Sequence, residues 1–204
     1  MDVEKIAQET CHRGFLKLYR STVSHALYGG GMSSPIVREH AHSGPVVAVL
    51  PYDPLRDRVI LIRQFRVGAW AAGSDPAPWD IVAGIRDGNE SAETAARREL
   101  LEETGCAVLG YETIGEFLTA PHVSSERLTL LCARVHAFDG ERQCGLPEEG
   151  EDILAASLSI DEAMAILAAG DFPLWAAMAL QWLQAHRTQL KTLWGGDVPC
   201  KFGG

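Results

Sequence analysis

The residues most able to do chemistry are glutamates grouped in one short segment. Glu99 and Glu103 stand four positions apart, so on a helix their side chains meet on one face, and Glu102 lies on a neighbouring line. Like charges at this spacing repel by roughly 0.2–0.5 kcal/mol per pair, so the group calls for a compensating cation. Magnesium is the natural one, because it is hard and takes oxygen ligands. The alternative is a solvated acidic face with Arg97 and Arg98 as surface partners.

A helix must hold these glutamates, and the composition predicts one from Ser91 to Thr104. The stretch is rich in Ala, Glu, Arg and Leu, contains neither Gly nor Pro, and stops at Gly105. Glycine commonly ends helices in the left-handed conformation. A loop that contains Gly84 and Gly88 leads into this helix, so the sequence predicts a loop–helix unit that presents the carboxylates.

Patterns elsewhere predict the elements around this unit. Residues 1–43 alternate as a small antiparallel sheet, with a glycine turn at 29–31. Apolar runs rich in β-branched residues predict a central hairpin of a larger sheet, and later segments predict two more strands and two helices. The hairpin is expected at 45–50 and 58–65, the strands at 113–118 and 128–135, and the helices at 160–169 and 174–193.

Composition limits the partners. The net charge of -9 argues against binding along a nucleic acid backbone, which needs a basic face. No apolar run approaches the roughly 20 residues that cross a bilayer, and residues 1–8 lack a basic stretch followed by an apolar one. Five cysteines without a CxxC pair favour reduced thiols over a zinc site. The sequence therefore predicts a cytoplasmic protein with one main domain and neither a nucleic acid nor a membrane partner.

The stretch from Gly84 to Cys106 carries a longer pattern. It reads Gly-x5-Glu-x7-Arg-Glu-apolar-x-Glu-Glu-x-Gly-apolar. This pattern resembles the Nudix box, and every specified position is filled, with Cys106 as an unusual last apolar residue. The resemblance implies an α/β/α sandwich around a mixed sheet, with the N-terminal β subdomain at 1–43 and the Nudix hydrolase domain at 44–204.

The resemblance also implies roles for the box residues. Glu99 and Glu103 are expected to bind Mg²⁺, with Glu102 assisting. Arg98 is expected to brace the box by an ion pair with Glu90. The backbone carbonyl before the box glycine, that of Ala83, is expected to be a further metal ligand.

Three features outside the box resemble bacterial ADP-ribose pyrophosphatases. Pro121 follows the box by fifteen residues, residues 147–153 form an acidic loop, and residues 179–186 are similar to the terminal helix of that subfamily. An ordinary loop proline and a solvent-exposed acidic turn are the alternatives. His122 and Val123 depart from the pattern, since a Gly-rich turn is usual there, which puts the shape of the terminal-ribose pocket in doubt.

This subfamily resemblance implies a mechanism. About two or three Mg²⁺ ions, or Mn²⁺ instead, are expected between Glu99, Glu103, Glu151, the Ala83 carbonyl and the diphosphate of the small-molecule substrate. Hydrolysis of ADP-ribose would give AMP and ribose 5-phosphate. The residue expected to accept the proton of the attacking water is Glu149, with Glu126 in reserve. By their positions in the sequence, Arg66 is expected to contact the pyrophosphate and Arg38 to lie near the adenine, and Pro121 is a further expected substrate-binding residue.

The resemblance further implies a homodimer in which the N-terminal subdomain packs across the partner. Arg38 and Arg66 could instead be surface arginines in strand pairs. Two other functions compete with the leading one. The first is a pyrophosphatase for another nucleoside diphosphate sugar, such as GDP-mannose or ADP-glucose. The second is a Nudix module that senses ADP-ribose without cutting it.

Overall fold

Antiparallel strands form the N-terminal part of the chain in the computed structural model, which describes residues 1–170 and 172–195. They are β1 (Val3–Arg13), β2 (Lys17–His25) and β3 (Ile36–His42), in the order β1-β2-β3. Arg20 ties them together, because its guanidinium pairs with Glu9 at 2.7 Å and with Glu39 at 2.9 Å. The predicted small antiparallel sheet is confirmed. Strand β1 was not singled out as one of its strands, and each of its residues is exposed.

This sheet belongs to a first unit that comprises Met1–Pro45 and Phe117–Leu128. The second segment of the unit is joined by a parallel bridge between Ala41 and Ser124. The Ser125 N–H donates to the Ala41 carbonyl at 3.0 Å. The unit therefore contains a segment that the sequence prediction assigned to the following domain.

The second unit is built on a larger mixed sheet. Its strands pair in the order β10-β11-β5-β4-β9-β8, and β6 and β7 pair with β5 and β4. The strands are β4 (Pro45–Asp53), β5 (Arg58–Arg63), β6 (Trp79–Asp80), β7 (Val82–Ile85), β8 (Gly110–Leu118), β9 (Arg127–Arg134), β10 (Glu141–Cys144) and β11 (Ile153–Ser159). The helices are α1 (Val67–Ala71), α2 (Ala92–Thr104), α3 (Ile160–Ala169) and α4 (Leu174–Trp194).

Both faces of the central hairpin are covered. Val47 and Val49 of β4, like Ile60 and Ile62 of β5, are fully buried in one cluster with Leu100 of α2. The alternate positions of β5 are also inaccessible to solvent. Strands covered on both faces lose the alternation of polar and apolar residues, which is why these runs are continuously apolar.

The predicted hairpin, the two later strands and the two C-terminal helices are confirmed to within a few residues. Strands β6, β7, β10 and β11 and helix α1 were not predicted, and Gly84, which was expected in a loop, lies in β7. Two of the seven residues of β11 are alanines, which are depleted in strands. The strand exists because it pairs with β5. Among the described residues, no helix is long and apolar enough to cross a bilayer.

Candidate active site

The predicted helix after the glycine loop is present as α2, and both of its ends are set by local contacts. The Ser91 hydroxyl accepts a hydrogen bond from the Thr94 N–H at 3.1 Å, which caps the first turn. Gly105 ends the helix with a φ of 69°, in the left-handed region that glycine adopts without strain. The box helix therefore begins and ends where its own sequence dictates.

Glu99 and Glu103 lie on the buried face of α2, with 9% and 1% of their surfaces exposed. Both side chains face β7. The Ala83 N–H donates to Glu103 Oε2 at 3.4 Å. Gly84 lies so close to Glu99 that a Cβ at this position would stand 2.7 Å from the Glu99 Cγ. The four-residue spacing of Glu99 and Glu103 thus places both carboxylates against β7, on one face of the helix, as the sequence predicts.

Arg98 joins the acidic side chains of the box. Its guanidinium stands 2.8 Å from Glu99 Oε1 and 3.3 Å from Glu102 Oε2. The ion pair with Glu90 that the resemblance implies is present, also at 3.3 Å. A further hydrogen bond at 3.3 Å reaches the Ile85 carbonyl. Arg98 therefore connects the helix, the loop and the strand that precedes them.

The electrostatics of the box favour the arrival of positive charge. Burial raises the pKa of Glu103 well above 4.5; the charge of Arg66 opposes this, and the negative charges of Glu99 and Glu151 add to it. Burial likewise raises the pKa of Glu99, and Glu151 again adds to the effect. Carboxylates that repel one another in a partly desolvated place are stabilised by a cation between them.

The residues present suit a hard divalent cation. The hydrogen bond that buried Glu103 receives from the Ala83 N–H is long, at 3.4 Å, so it stabilises the carboxylate charge only weakly. Carboxylate and carbonyl oxygens are the ligands that Mg²⁺ prefers. Within residues 1–170 and 172–195, no group of three Asp, Glu, His or Cys side chains already surrounds one point. The carboxylate and carbonyl oxygens of the site therefore suit Mg²⁺ by their chemistry, and they must move closer together to bind the same ion.

The acidic loop follows β10 and is fastened to the box helix. The Gly145 N–H donates to the Glu102 carbonyl at 3.2 Å. Pro147–Glu149 forms a single 3-10 turn, in which Glu149 is exposed, whereas Glu151 is half-buried. Of the two predicted loop glutamates, Glu151 is the one whose charge raises the pKa of the buried box carboxylates.

Arg66 lies just after β5. Its guanidinium stands 3.1 Å from Asp80 Oδ2. In the amide orientation that satisfies its hydrogen bonds, the Gln64 oxygen accepts from Arg66 Nη1 and Nη2 at 2.9 Å and 2.8 Å. The charge of Arg66 lowers the pKa of Glu103, against the larger effect of burial, so Arg66 lies near the box. Asp80 was not among the predicted site residues, although a charged residue within the otherwise apolar run 79–82 was a usable signal.

The other three predicted residues belong to the first unit. Arg38 is exposed on β3 and donates to the Val37 carbonyl at 2.8 Å. Pro121 is exposed in the loop after β8. Glu126 is half-buried, and its Oε2 accepts from the Ser43 hydroxyl at 2.8 Å. Their roles stay predictions.

A cavity of about 550 Å³ opens between the segment after β5 and the acidic loop. Gln64, Phe65 and Glu151 are part of its lining. Cavities that hold small molecules and cofactors have volumes of about 300–1,000 Å³. The second unit therefore offers space for a small molecule beside a loop carboxylate.

Comparison with known proteins places this geometry in a family. The profile of the NUDIX domain matches residues 42–183. The ADP-ribose pyrophosphatase of Escherichia coli K12 is 38% identical over 194 residues, which cover 95% of this chain and 93% of that protein. The GDP-mannose pyrophosphatase of Yersinia enterocolitica is 30% identical over 186 residues, with 90% and 96% covered.

A solved structure, described as the crystal structure of an ADP compounds hydrolase, has the same fold. Its TM-score is 0.67 at 20% identity, and the match covers 91% of this chain and 96% of that one. The profile match includes the whole box and the acidic loop, and the similarity to the curated relatives spans nearly the full chain. This protein belongs to the Nudix family.

Proposed function

We propose that this protein is a pyrophosphohydrolase that splits ADP-ribose into AMP and ribose 5-phosphate with a divalent metal ion. The observation that carries the proposal is the pair of buried carboxylates, Glu99 and Glu103, which lie together against β7 at a cost in desolvation. A buried charge without full compensation needs a functional reason. Relatives named ADP-ribose pyrophosphatase support the choice of substrate.

Glu99, Glu103, Glu151 and the Ala83 carbonyl would hold about two or three Mg²⁺ ions, or Mn²⁺ in their place. When bound, the metal would neutralise the diphosphate and make the attacking water more acidic. Arg98 would keep Glu99 in place, since it stands 2.8 Å from the carboxylate. Glu102, which is half-buried and stands 3.3 Å from the Arg98 guanidinium, would assist from the same helix.

The remaining roles go to the acidic loop and the arginines. Glu149 would accept the proton of the attacking water, with Glu126 as the second candidate; an exposed carboxylate can act in this way if the loop carries it to the substrate. Arg66 would donate hydrogen bonds to the diphosphate. Arg38 would bind near the adenine, and Pro121 would help to shape the ribose pocket.

The N-terminal sheet would form a homodimer. Every residue of β1 is exposed, Val3 and Ile6 among them, and an edge strand that exposes apolar side chains favours pairing with another chain. Light scattering after gel filtration tests this, and a monomer at micromolar concentration would contradict it.

We also place the protein in the cytoplasm. The cysteines that the structure describes, Cys11, Cys106, Cys132 and Cys144, are free thiols, and structural disulfides are rare in that compartment. The fifth, Cys200, lies outside the described residues. Cell fractionation tests the assignment, and recovery of the protein in a secreted fraction would overturn it.

A second candidate function is hydrolysis of another nucleoside diphosphate sugar, supported by the GDP-mannose pyrophosphatase relative. A substrate panel of ADP-ribose, ADP-glucose and GDP-mannose separates the two. We expect the highest kcat/KM for ADP-ribose. A higher value for GDP-mannose would make the second candidate correct. Tight binding of ADP-ribose without turnover would indicate the non-catalytic sensing module instead.

Glu103→Gln tests the metal assignment. We expect kcat/KM to fall by orders of magnitude, because a neutral amide is a poor ligand for a hard cation. In the absence of metal the free energy of unfolding should not fall, since the substitution removes a buried charge. Added Mg²⁺ should raise the wild-type unfolding temperature and have a smaller effect on the variant. Glu93→Gln, in the first turn of the same helix, is the matched control, and near-normal turnover by Glu103→Gln would refute the assignment.

A further inference from the structure

Asp80 is a buried carboxylate outside the box. It lies on β6, where it pairs with Ile62 of β5, and only 1% of its surface is exposed. Such a charge is retained where bonded partners compensate for its desolvation. The arrangement of those partners therefore shows what the carboxylate does.

Both oxygens of Asp80 accept hydrogen bonds. Oδ1 accepts from the Trp175 Nε1–H at 2.9 Å and from the Ile81 N–H at 2.8 Å. Oδ2 accepts from Arg66 Nη2 at 3.1 Å. The Trp175 and Ile81 N–H groups thus hold Oδ1, and this orients Oδ2 toward the Arg66 guanidinium.

Arg66 is constrained from two sides. Asp80 accepts a hydrogen bond from one terminal nitrogen of the guanidinium. The Gln64 amide oxygen accepts from both terminal nitrogens when the amide takes the orientation that satisfies its hydrogen bonds. A third of the Arg66 side chain stays exposed. In this position the guanidinium keeps N–H groups free to bind a ligand. An unrestrained guanidinium could instead move toward the buried Glu103, whose pKa its charge already lowers.

We infer that Asp80 is a positioning residue for pyrophosphate hydrolysis, which acts by holding the Arg66 guanidinium in the orientation that receives the diphosphate. The inference rests on the proposed function, because it takes Arg66 as the diphosphate-binding arginine. Trp175, at the start of α4, would fix the carboxylate and would contribute less, since the Ile81 N–H bonds the same oxygen.

A double-mutant cycle separates positioning from a purely structural role. Asp80→Asn is nearly isosteric and should lower kcat/KM for ADP-ribose about 10-fold in the wild-type background. In an Arg66→Ala background the same substitution should change kcat/KM less than about 2-fold, because the group it positions is absent. Asp139→Asn, which removes an exposed ion pair with Arg56, is the matched control and should leave kcat/KM unchanged.

Trp175→Phe provides a second variant that keeps the Asp80–Arg66 pair. It should lose less than about 3-fold in kcat/KM. An effect of Asp80→Asn that is equally large in both Arg66 backgrounds would overturn the inference, and so would a loss in Trp175→Phe that matches Asp80→Asn.

The proposed function fails separately, if the wild-type protein does not hydrolyse ADP-ribose. The cycle is then run with whichever nucleoside diphosphate sugar the panel identifies, and its two outcomes keep the same meaning. Unfolding curves of every variant accompany the kinetics, so that a loss of folded protein is not counted as a loss of positioning.

Discussion

Replacing Gly84 by alanine should disable the site without unfolding the protein. A Cβ at this position would stand 2.7 Å from the Glu99 Cγ and closer still to its carboxylate. Carbon atoms in contact normally stand about 3.5–4.0 Å apart, so the Glu99 side chain must move by at least about 1 Å. The φ of Gly84 is not in the left-handed region, so alanine fits the backbone and the clash is the whole perturbation.

The expected size follows from this displacement. Mg²⁺ holds its oxygen ligands at about 2.0–2.1 Å, and a 1 Å misplacement at a reacting site costs about 10²-fold in rate. We therefore expect kcat/KM for ADP-ribose to fall about 100-fold and the Mg²⁺ concentration for half-maximal activity to rise. Overpacking should cost about 1–3 kcal/mol in the free energy of unfolding, which leaves a folded protein.

Steady-state kinetics over a Mg²⁺ series, with urea unfolding in parallel, measures both quantities. Gly110→Ala is the control, because its Cβ would meet only Trp194 Nε1, at an ordinary 4.0 Å. A Gly84→Ala variant with the wild-type kcat/KM and Mg²⁺ dependence would refute the reasoning. Equal losses in both variants would refute it too, because they would show a general effect of adding a methyl group.

Two further predictions concern stability. Burial raises the pKa of Asp57, but hydrogen bonds from Arg187, Lys191 and Tyr52 outweigh it and hold that pKa below its ordinary 3.8. A carboxylate whose pKa is lower in the folded than in the unfolded state stabilises the fold at pH values above the unfolded pKa. This stabilisation is lost as the pH falls and the carboxylate becomes protonated. Asp57→Asn should therefore cost about 1–3 kcal/mol at pH 7 and less below about pH 4 in urea titrations; a pH-independent cost would contradict this. Ser159 caps α3 in a capping box with Glu162, so Ser159→Ala should lower the free energy of unfolding by about 1 kcal/mol and leave kcat/KM unchanged, and an equally stable variant would show that the cap is dispensable.

Local chemistry made much of this protein predictable from its sequence. Helix α2 was predicted because its segment is rich in helix-forming residues and stops at Gly105. The shared face of Glu99 and Glu103 follows from helical periodicity alone. The hairpin β4–β5 was predicted because strands buried on both faces must be continuously apolar. These features depend on neighbours in the chain, which the sequence contains directly.

Contacts between distant segments decided the rest. Asp80 meets Trp175 across 95 positions of sequence, and β11 is a strand because β5 lies beside it. The burial of Glu103 to 1% and the closeness of Gly84 to Glu99 arise from packing of α2 against β7. The sequence by itself determined which residues could do chemistry and on what local element. Only the tertiary structure decided which of them are desolvated and which partners hold them, because both depend on what packs against each side chain.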